Sequence, residues 1–282
     1  MKKRNSFLIG FFALAIASCN SSNEKKMDDS GSDSTNIENN ELINDTTASV
    51  LRGDKITLKE VVGSPTFDNT KFKIVSPENG TELSDKKIDF KFEVTGGDYQ
   101  LGEQTQDAIN KTCANSEKGQ HVHLIIDNQP YKASYTSDFT TDIKEDGNHV
   151  ALAFISRSYH ESLKHKGAAD IIQFKVGETD QQNVDLKAPH LFFSRPKGEY
   201  NIKDNPEVFL DFYLINTQIG EEGNYVKATI DGEEFKITKW APYYMEGLEV
   251  GNHTIKIQLF DQNDHYIEGP FNTEEREFTL IN

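Results

Sequence analysis

Basic residues are scarce in this chain of 282 residues. Its 30 lysines and arginines stand against 46 aspartates and glutamates, which gives a formal net charge of −16. Such a chain would repel nucleic acid, and no basic stripe with interleaved aromatic residues offsets the repulsion. The same charge disfavours docking on anionic lipid through a basic face. We therefore exclude nucleic acid as a partner.

Long apolar runs are also missing near the start, where a membrane helix would otherwise be sought. The apolar run at residues 7–16 contains about ten residues, whereas a helix needs about 20 to span a bilayer. The positively charged residues 1–4 precede this run, and small residues follow it before Cys19. This arrangement is typical of a signal peptide over residues 1–18.

The stretch LAIASC at residues 14–19 resembles the signal of bacterial lipoproteins, a short box of aliphatic and small residues ending in cysteine. The resemblance implies that residues 1–18 are removed and that a lipidated Cys19 anchors the mature protein in the membrane. Asn20 implies the outer membrane of the cell envelope as the location. The alternative is an ordinary secretory signal with a chance cysteine.

Cysteine is the other scarce residue type, with Cys113 as the second of only two. If Cys19 carries the lipid, an intramolecular disulfide is excluded, and the fold depends on its hydrophobic core. Residues 19–69 cannot supply that core, because they are rich in Ser, Asn, Asp, Glu and Thr. Such a segment buries too little surface to offset its ordering entropy. We expect a disordered acidic tether, with Leu58–Val62 as a candidate edge strand.

From residue 72 onward, short segments alternate between apolar and polar residues. Examples are KIDFKFEV, HVHLIID, HVALAFI and HTIKIQLF, separated by Gly, Pro, Asn and Asp. A period of two with turn residues between the segments predicts an all-β, antiparallel sandwich.

An internal repeat divides this region into two. Residues 119–127 (GQHVHLIID) align with residues 223–231 (GNYVKATID), and GNH at 147–149 aligns with GNH at 251–253, both with an offset of 104. The first copy carries about 15 additional residues between positions 96 and 118. We predict two tandem immunoglobulin-like sandwiches at 70–178 and 188–282, each near the roughly 100 residues of such a domain.

The repeat resembles immunoglobulin-like modules of bacterial envelope lipoproteins, through its Pro-x-x-Gly entry and its GxHxIxIxLxD strand. The first module also resembles an uncharacterised bacterial family with a His-rich HxHLxID strand. These resemblances imply the architecture and imply no activity.

The repeat separates structural residues from candidates for function. His149 and His253 occur in both modules, and we expect them to close a turn through hydrogen bonds. His121 and His123 occur in the first module only. They alternate with core positions, so both side chains point to the opposite face, about 7 Å apart. That spacing suits two ligands of one ion, since imidazole binds zinc and copper well.

Two further histidines, His160 and His165, follow the HVALAFI strand and are also specific to the first module. One hypothesis for these residues is a zinc or copper site formed by His121, His123 and His160, with His165 or Cys113 as the fourth ligand. The alternative is that these histidines form a solvated face or bind an organic ligand.

The HVALAFI strand has an apolar outer face in the first module, where the second module carries polar residues. This face consists of Val150, Leu152 and Phe154. We expect the inserted loop to cover it, or else a partner molecule. At the end of the strand, Arg157 and Tyr159 are candidates to anchor an anionic or peptide ligand.

The sequence thus leaves three hypotheses for function. The first is a lipid-anchored envelope protein without cofactor that binds an envelope protein or peptide through His121, His123, Arg157, Tyr159 and His160. The second is a metal-handling lipoprotein that binds zinc or copper. The third is a structural component of an envelope assembly. No nucleophile–base pair can be named, so we expect no enzyme.

Overall fold

The computed structural model describes residues 48–282, in which the chain is built from β-strands. The predicted signal peptide, Cys19 and the tether as far as residue 47 lie outside the described residues. The one helical element in the described part is a single 3₁₀ turn, Ala108–Asn110. Within that part, no helix has the length and apolar character needed to cross a membrane.

The first half of the described chain forms two sheets that enclose one core. The strands are β3 (Lys71–Ser76), β4 (Glu82–Leu83), β5 (Lys87–Thr95), β6 (His121–Ile126), β7 (Lys132–Ser134), β8 (Asp138–Asp142), β9 (Gly147–Ser156) and β10 (Ala169–Val176). One sheet has the order β3-β5-β8 and the other β4-β10-β9-β6-β7. Alternate residues of β5, Ile88, Phe90 and Phe92, are buried, as the period of two predicted.

The second half repeats this arrangement. Its strands are β11 (His190–Arg195), β12 (Gly198–Asn201), β13 (Phe209–Ile215), β14 (Tyr225–Ile230), β15 (Glu233–Ile237), β16 (Tyr243–Glu246), β17 (Gly251–Phe260) and β18 (Thr273–Ile281). One sheet has the order β12-β18-β17-β14-β15. The predicted all-β fold of immunoglobulin-like antiparallel sandwiches is confirmed, with two short parallel pairings, β4–β10 and β12–β18. The boundaries 70–178 and 188–282 stay predictions, because the described residues belong to one compact unit.

The remaining sheet differs from the prediction for the tether. Two strands within the predicted tether, β1 (Val50–Arg52) and β2 (Thr57–Glu60), extend the second module's sheet to β1-β2-β16-β13-β11. Ile56 and Leu58 are buried in the core of that module. The tether therefore does not extend to residue 69. A polar segment can be ordered here because β16 supplies main-chain hydrogen bonds and an existing core receives two apolar side chains.

The repeat extends to the hydrogen bonds of single side chains. Nδ1 of His149 lies 2.6 Å from the Asp127 carboxylate, and Nδ1 of His253 lies 2.6 Å from that of Asp231. In both modules the other ring nitrogen lies near the backbone carbonyl oxygen four residues upstream, at 3.2 and 2.7 Å. The two shared histidines close equivalent turns, as expected from the sequence.

The apolar outer face of β9 is covered by the second module. Val150, Leu152 and Phe154 form a cluster with Phe192, Tyr213 and Phe271, in which Phe154 stacks on Tyr213 at 4.5 Å between ring centroids. The expectation that the inserted loop covers this face was wrong. The aromatic side chains that face β9 come from β11, β13 and the loop before β18. These segments are distant from β9 in the sequence, so a local pattern could not indicate the contact.

Candidate metal centre

The pairing of β6 with β9 brings three histidines together. His121 lies opposite Ser156 and His123 opposite Phe154 in the antiparallel register, and His160 follows in the turn after β9. His121 and His123 share one face of β6, as the alternation predicted. That face is not solvated, because both side chains are completely buried.

The ring nitrogens of the three histidines converge. Nε2 of His121 lies 2.9 Å from Nε2 of His123 and 2.9 Å from Nδ1 of His160. All three candidate ligand atoms lie within 4.8 Å of one another. Ligands of a tetrahedral zinc ion at 2.0–2.1 Å are separated by about 3.3 Å. The cluster therefore needs only small side-chain adjustments to surround one ion.

Contacts outside the cluster orient its imidazoles. Nδ1 of His121 lies 2.8 Å from the carbonyl oxygen of Gly119, which can only accept a hydrogen bond. The proton therefore resides on Nδ1, and the lone pair of Nε2 points to the other two histidines. Nδ1 of His123 lies 3.4 Å from the hydroxyl of Ser194. Metal-binding histidines in proteins are held by such outer hydrogen bonds.

Burial keeps the three imidazoles neutral. Desolvation lowers the pKa of His121 to about 4, and the Gly119 carbonyl offsets only part of this effect. Desolvation also holds the pKa values of His123 and His160 well below their usual range, and the positive charge of Arg195 adds to the effect. At neutral pH each ring therefore offers a lone pair, as metal binding requires.

Tyr131 is a further member of this site that the sequence did not single out. Its ring is stacked on the His123 ring, with 3.6 Å between centroids and 8° between planes. Its hydroxyl oxygen lies 3.3 Å from Nδ1 of His160.

The second module has the same four positions with different side chains. An offset of 104 places Tyr225, Lys227, Phe235 and Asp264 where the first module has His121, His123, Tyr131 and His160. Tyr225 donates a hydrogen bond of 3.0 Å to Asp264, which mirrors the contact between His121 and His160. The turn also places His160 and Asp264 in the left-handed region, with φ of 67° and 62°. The correspondence of His160 with Asp264 is a signal in the repeat that the sequence analysis did not use, and it places His160 next to β6.

Two residues predicted near the site lie elsewhere. His165 is half-exposed and its Nε2 lies 2.8 Å from the backbone oxygen of Thr70. Cys113 is buried with Val61, Tyr159 and Phe209, and burial raises its thiol pKa to about 12. Neither residue belongs to the group of converging ligand atoms. The hydrogen bond to Thr70 holds His165 away from the three histidines, and the packing with Val61, Tyr159 and Phe209 does the same for Cys113. Loop length alone does not predict these contacts.

The two residues predicted to anchor a ligand are buried and bind other parts of the protein. Arg157 forms a buried ion pair of 2.9 Å with Glu161 and donates to the backbone oxygen of Pro65. Tyr159 is completely buried, and its hydroxyl donates to Asp107. Both side chains hold the inserted loop and the segment before β3 against the end of β9, so they are not available to a ligand.

No protein-family model and no curated protein matches the chain. Among solved structures, it is similar to the fibronectin(III)-like modules of CbhA from Clostridium thermocellum, with 13% identity over 74% of this chain and 93% of that chain and a TM-score of 0.25. It is also similar to the glucan-utilization protein SGBP-B from Bacteroides ovatus, solved with a mixed-linkage heptasaccharide. That match has 10% identity over 81% and 71% of the two chains and a TM-score of 0.22. TM-scores this low carry no argument about function.

Proposed function

We propose that this protein is a lipid-anchored protein of the cell envelope that binds one zinc or copper ion at His121, His123 and His160. The observation that carries the proposal is the convergence of three neutral imidazole nitrogens, with 2.9 Å between the closest pairs. The resemblance of residues 14–19 to a lipoprotein signal supports the lipid anchor at Cys19, and Asn20 supports a location at the outer membrane.

The chemistry of the donors favours these metals. Imidazole suits zinc and copper, whereas calcium and magnesium take oxygen ligands, and the converging group contains no carboxylate. Because burial lowers the pKa values of the three imidazoles, an ion would not compete with their protonation to imidazolium at neutral pH. Alanine in place of His123 would leave two ligands, which is too few for a tight site.

We propose metal binding rather than catalysis, since the ligands are buried and only His160 is partly exposed. The role we infer is to hold an ion in the envelope. The hypothesis of an envelope protein or peptide as ligand loses its support from Arg157 and Tyr159, because both are buried.

Calorimetric titration with Zn²⁺ and Cu²⁺ tests the proposal on the full chain without a His tag. We expect one tight site that disappears in the His121→Ala/His123→Ala double variant. His165→Ala is the matched control, since it removes a histidine of the same loop that bonds to Thr70 instead. Binding that survives the double variant, or is lost equally in the control, would contradict the proposal.

A further inference from the structure

Two cations next to the histidine cluster lack a partner for their charge. Arg195, at the end of β11, is buried, yet its guanidinium donates no hydrogen bond among residues 48–282, and its Nε is shielded from solvent. Nζ of the half-buried Lys197 donates to the backbone oxygen of Tyr131, which uses one of its three protons. Within the same described residues, neither cation has a carboxylate oxygen within 4.0 Å. Buried positive charge of this kind is costly unless an anion compensates it.

The carboxylate on the neighbouring strand is bound to a different cation. Asp211 lies opposite Arg195 in the pairing of β11 with β13. Its Oδ1 accepts a hydrogen bond of 2.5 Å from Nζ of Lys164, and its Oδ2 accepts one of 3.3 Å from the backbone N–H of Ser162. These contacts put Asp211 on the face of the sheet that meets the first half, and its cross-strand neighbour Arg195 shares that face. Asp211 thus neutralises Lys164 and leaves Arg195 without a counterion.

Tyr200 lies between the two cations. The guanidinium carbon of Arg195 lies 5.3 Å from the centroid of the Tyr200 ring, and the Tyr200 hydroxyl accepts a hydrogen bond of 3.0 Å from the backbone N–H of Lys197. Burial, together with the positive charges of Arg195 and Arg276, lowers the pKa of Lys197 to about 8. The cations are therefore close enough to repel each other, and at neutral pH both are charged.

The repeat indicates that the sandwich itself requires neither charge. At an offset of 119, Ser76 and Glu78 of the first module take the positions of Arg195 and Lys197. The pairing of β3 with β5 shifts its register at Ser76, as the pairing of β11 with β13 does at Arg195. The same backbone therefore forms around a serine and a glutamate. The two cations occur only in the copy that faces the histidine cluster, where both lower the pKa of His160.

We propose that Arg195 and Lys197 bind a small oxyanion, a carboxylate or phosphate group, where the two halves of the chain meet. The planar fork of a guanidinium binds either group through two parallel hydrogen bonds, and the lysine ammonium adds a further donor. Arg195 is 6% exposed and Lys197 is half-buried, so a small anion can reach them from solvent. This site needs no metal ion. A bound anion would also offset the repulsion between these cations and an ion at the three histidines.

The test is a calorimetric titration of the metal-free full chain with sodium acetate and, separately, with inorganic phosphate, at constant ionic strength. We expect saturable binding of one equivalent of at least one probe, and the probe that binds identifies the group. Arg195→Ser introduces the residue that the first module has at this position. The affinity of this variant should fall at least tenfold, because it removes one partner of a buried, hydrogen-bonded charge pair.

Two further variants separate anion binding from packing and from net charge. Arg195→Met retains a side chain of similar length against Tyr200 and should show the same loss as Arg195→Ser. Lys203→Ser is the matched control and should bind like the parent, because it removes one positive charge from an exposed turn of the same half.

Three results would overturn the proposal: no saturable binding of either probe, binding that survives both Arg195 variants, or an equal loss in Lys203→Ser. Because the protein is metal-free throughout, none of these results bears on the metal site, which the His121→Ala/His123→Ala variant tests separately.

Discussion

At the scale of single residues, Gly119 orients the imidazole of His121. Its carbonyl oxygen accepts the hydrogen bond from Nδ1, which directs Nε2 to the cluster. Gly119 has a φ of 84°, and a Cβ there would lie 2.5 Å from the backbone oxygens of Gly102 and Glu103. Any larger residue must therefore displace the strand entry that carries this carbonyl.

We expect Gly119→Ala to lower the free energy of unfolding by about 1–3 kcal/mol and to weaken metal binding roughly tenfold. Urea unfolding and calorimetric titration measure the two effects. The control is Gly223→Ala at the equivalent position of the second module, where the nearest heavy atom would be 3.7 Å away. Equal effects of the two substitutions would show that Gly119 has no special role.

The buried imidazoles also predict the response of the metal-free chain to acid. The folded pKa of His121 is about 4, against 6.5 for an ordinary histidine. Below pH 6.5 the unfolded chain binds more protons than the folded one, so stability falls as the pH drops from 6.5 towards 4. For His121 alone the loss is on the order of 3 kcal/mol.

Urea unfolding between pH 7 and pH 4 measures this loss, and His121→Ala should make the pH dependence shallower. His265→Ala is the control, because the side chain of His265 is 78% exposed. If the free energy of unfolding depends on pH in the same way in the parent, the His121 variant and the His265 variant, the imidazole of His121 is not buried as described.

At the scale of elements, β2 is the least expected part of the fold. It pairs with β16 in a four-residue register from Glu60–Tyr243 to Thr57–Glu246, and Leu58 on β2 is completely buried. Glu60 adds an ion pair of 2.7 Å with Lys239 of the second module. The segment before the first sandwich is thus an integral part of the second one.

Leu58→Ala should therefore destabilise the protein by about 2–5 kcal/mol, as for other leucines removed from a core. Lys59→Ala, on the exposed face of the same strand, should change the stability by less than about 0.5 kcal/mol. Chemical denaturation of the two variants measures the difference. A Leu58→Ala protein as stable as the Lys59→Ala protein would mean that β2 does not dock in solution.

The sequence predicted elements better where the pattern was local. The alternation in β5, β6 and β9 identified the strands and put His121 and His123 on one face. The role of residues 57–60 was only partly visible as a candidate edge strand at Leu58–Val62, because its partner β16 lies more than 180 residues away. Composition alone had placed it in the tether.

At the scale of the whole molecule, the two sandwich cores are connected by the aromatic cluster on the outer face of β9. Leu152 in this cluster is completely buried, whereas Lys256 has the equivalent position on the second module's outer face. His123 borders the same cluster through Phe154, at 5.2 Å between ring centroids. Ser194, a residue of the second half, also approaches His123. The site therefore depends on both halves of the chain.

We expect Leu152→Ala to cost about 2–5 kcal/mol and to reduce the cooperativity of unfolding, which should be a single transition in the parent. Differential scanning calorimetry measures both effects, and Lys256→Ala is the matched control. Two separate transitions in the parent protein would contradict this account of the cluster.

The sequence could not predict this arrangement. The apolar residues Val150, Leu152 and Phe154 showed that something covers β9, but not what. The covering residues Phe192, Tyr213 and Phe271 look like core residues of their own module. Phe154 of the same cluster and Ser194 of the second half lie next to His123, so the burial of His123 was predicted no better.

The central claim is that His121, His123 and His160 hold one metal ion. Anomalous diffraction from crystals of the full chain grown with Cu²⁺ or Zn²⁺ tests it most directly. The account predicts a single strong peak about 2.0–2.1 Å from Nε2 of His121, Nε2 of His123 and Nδ1 of His160. The absence of a peak at the three histidines would contradict the claim. This holds whether the crystals contain the ion at another position or contain no ion.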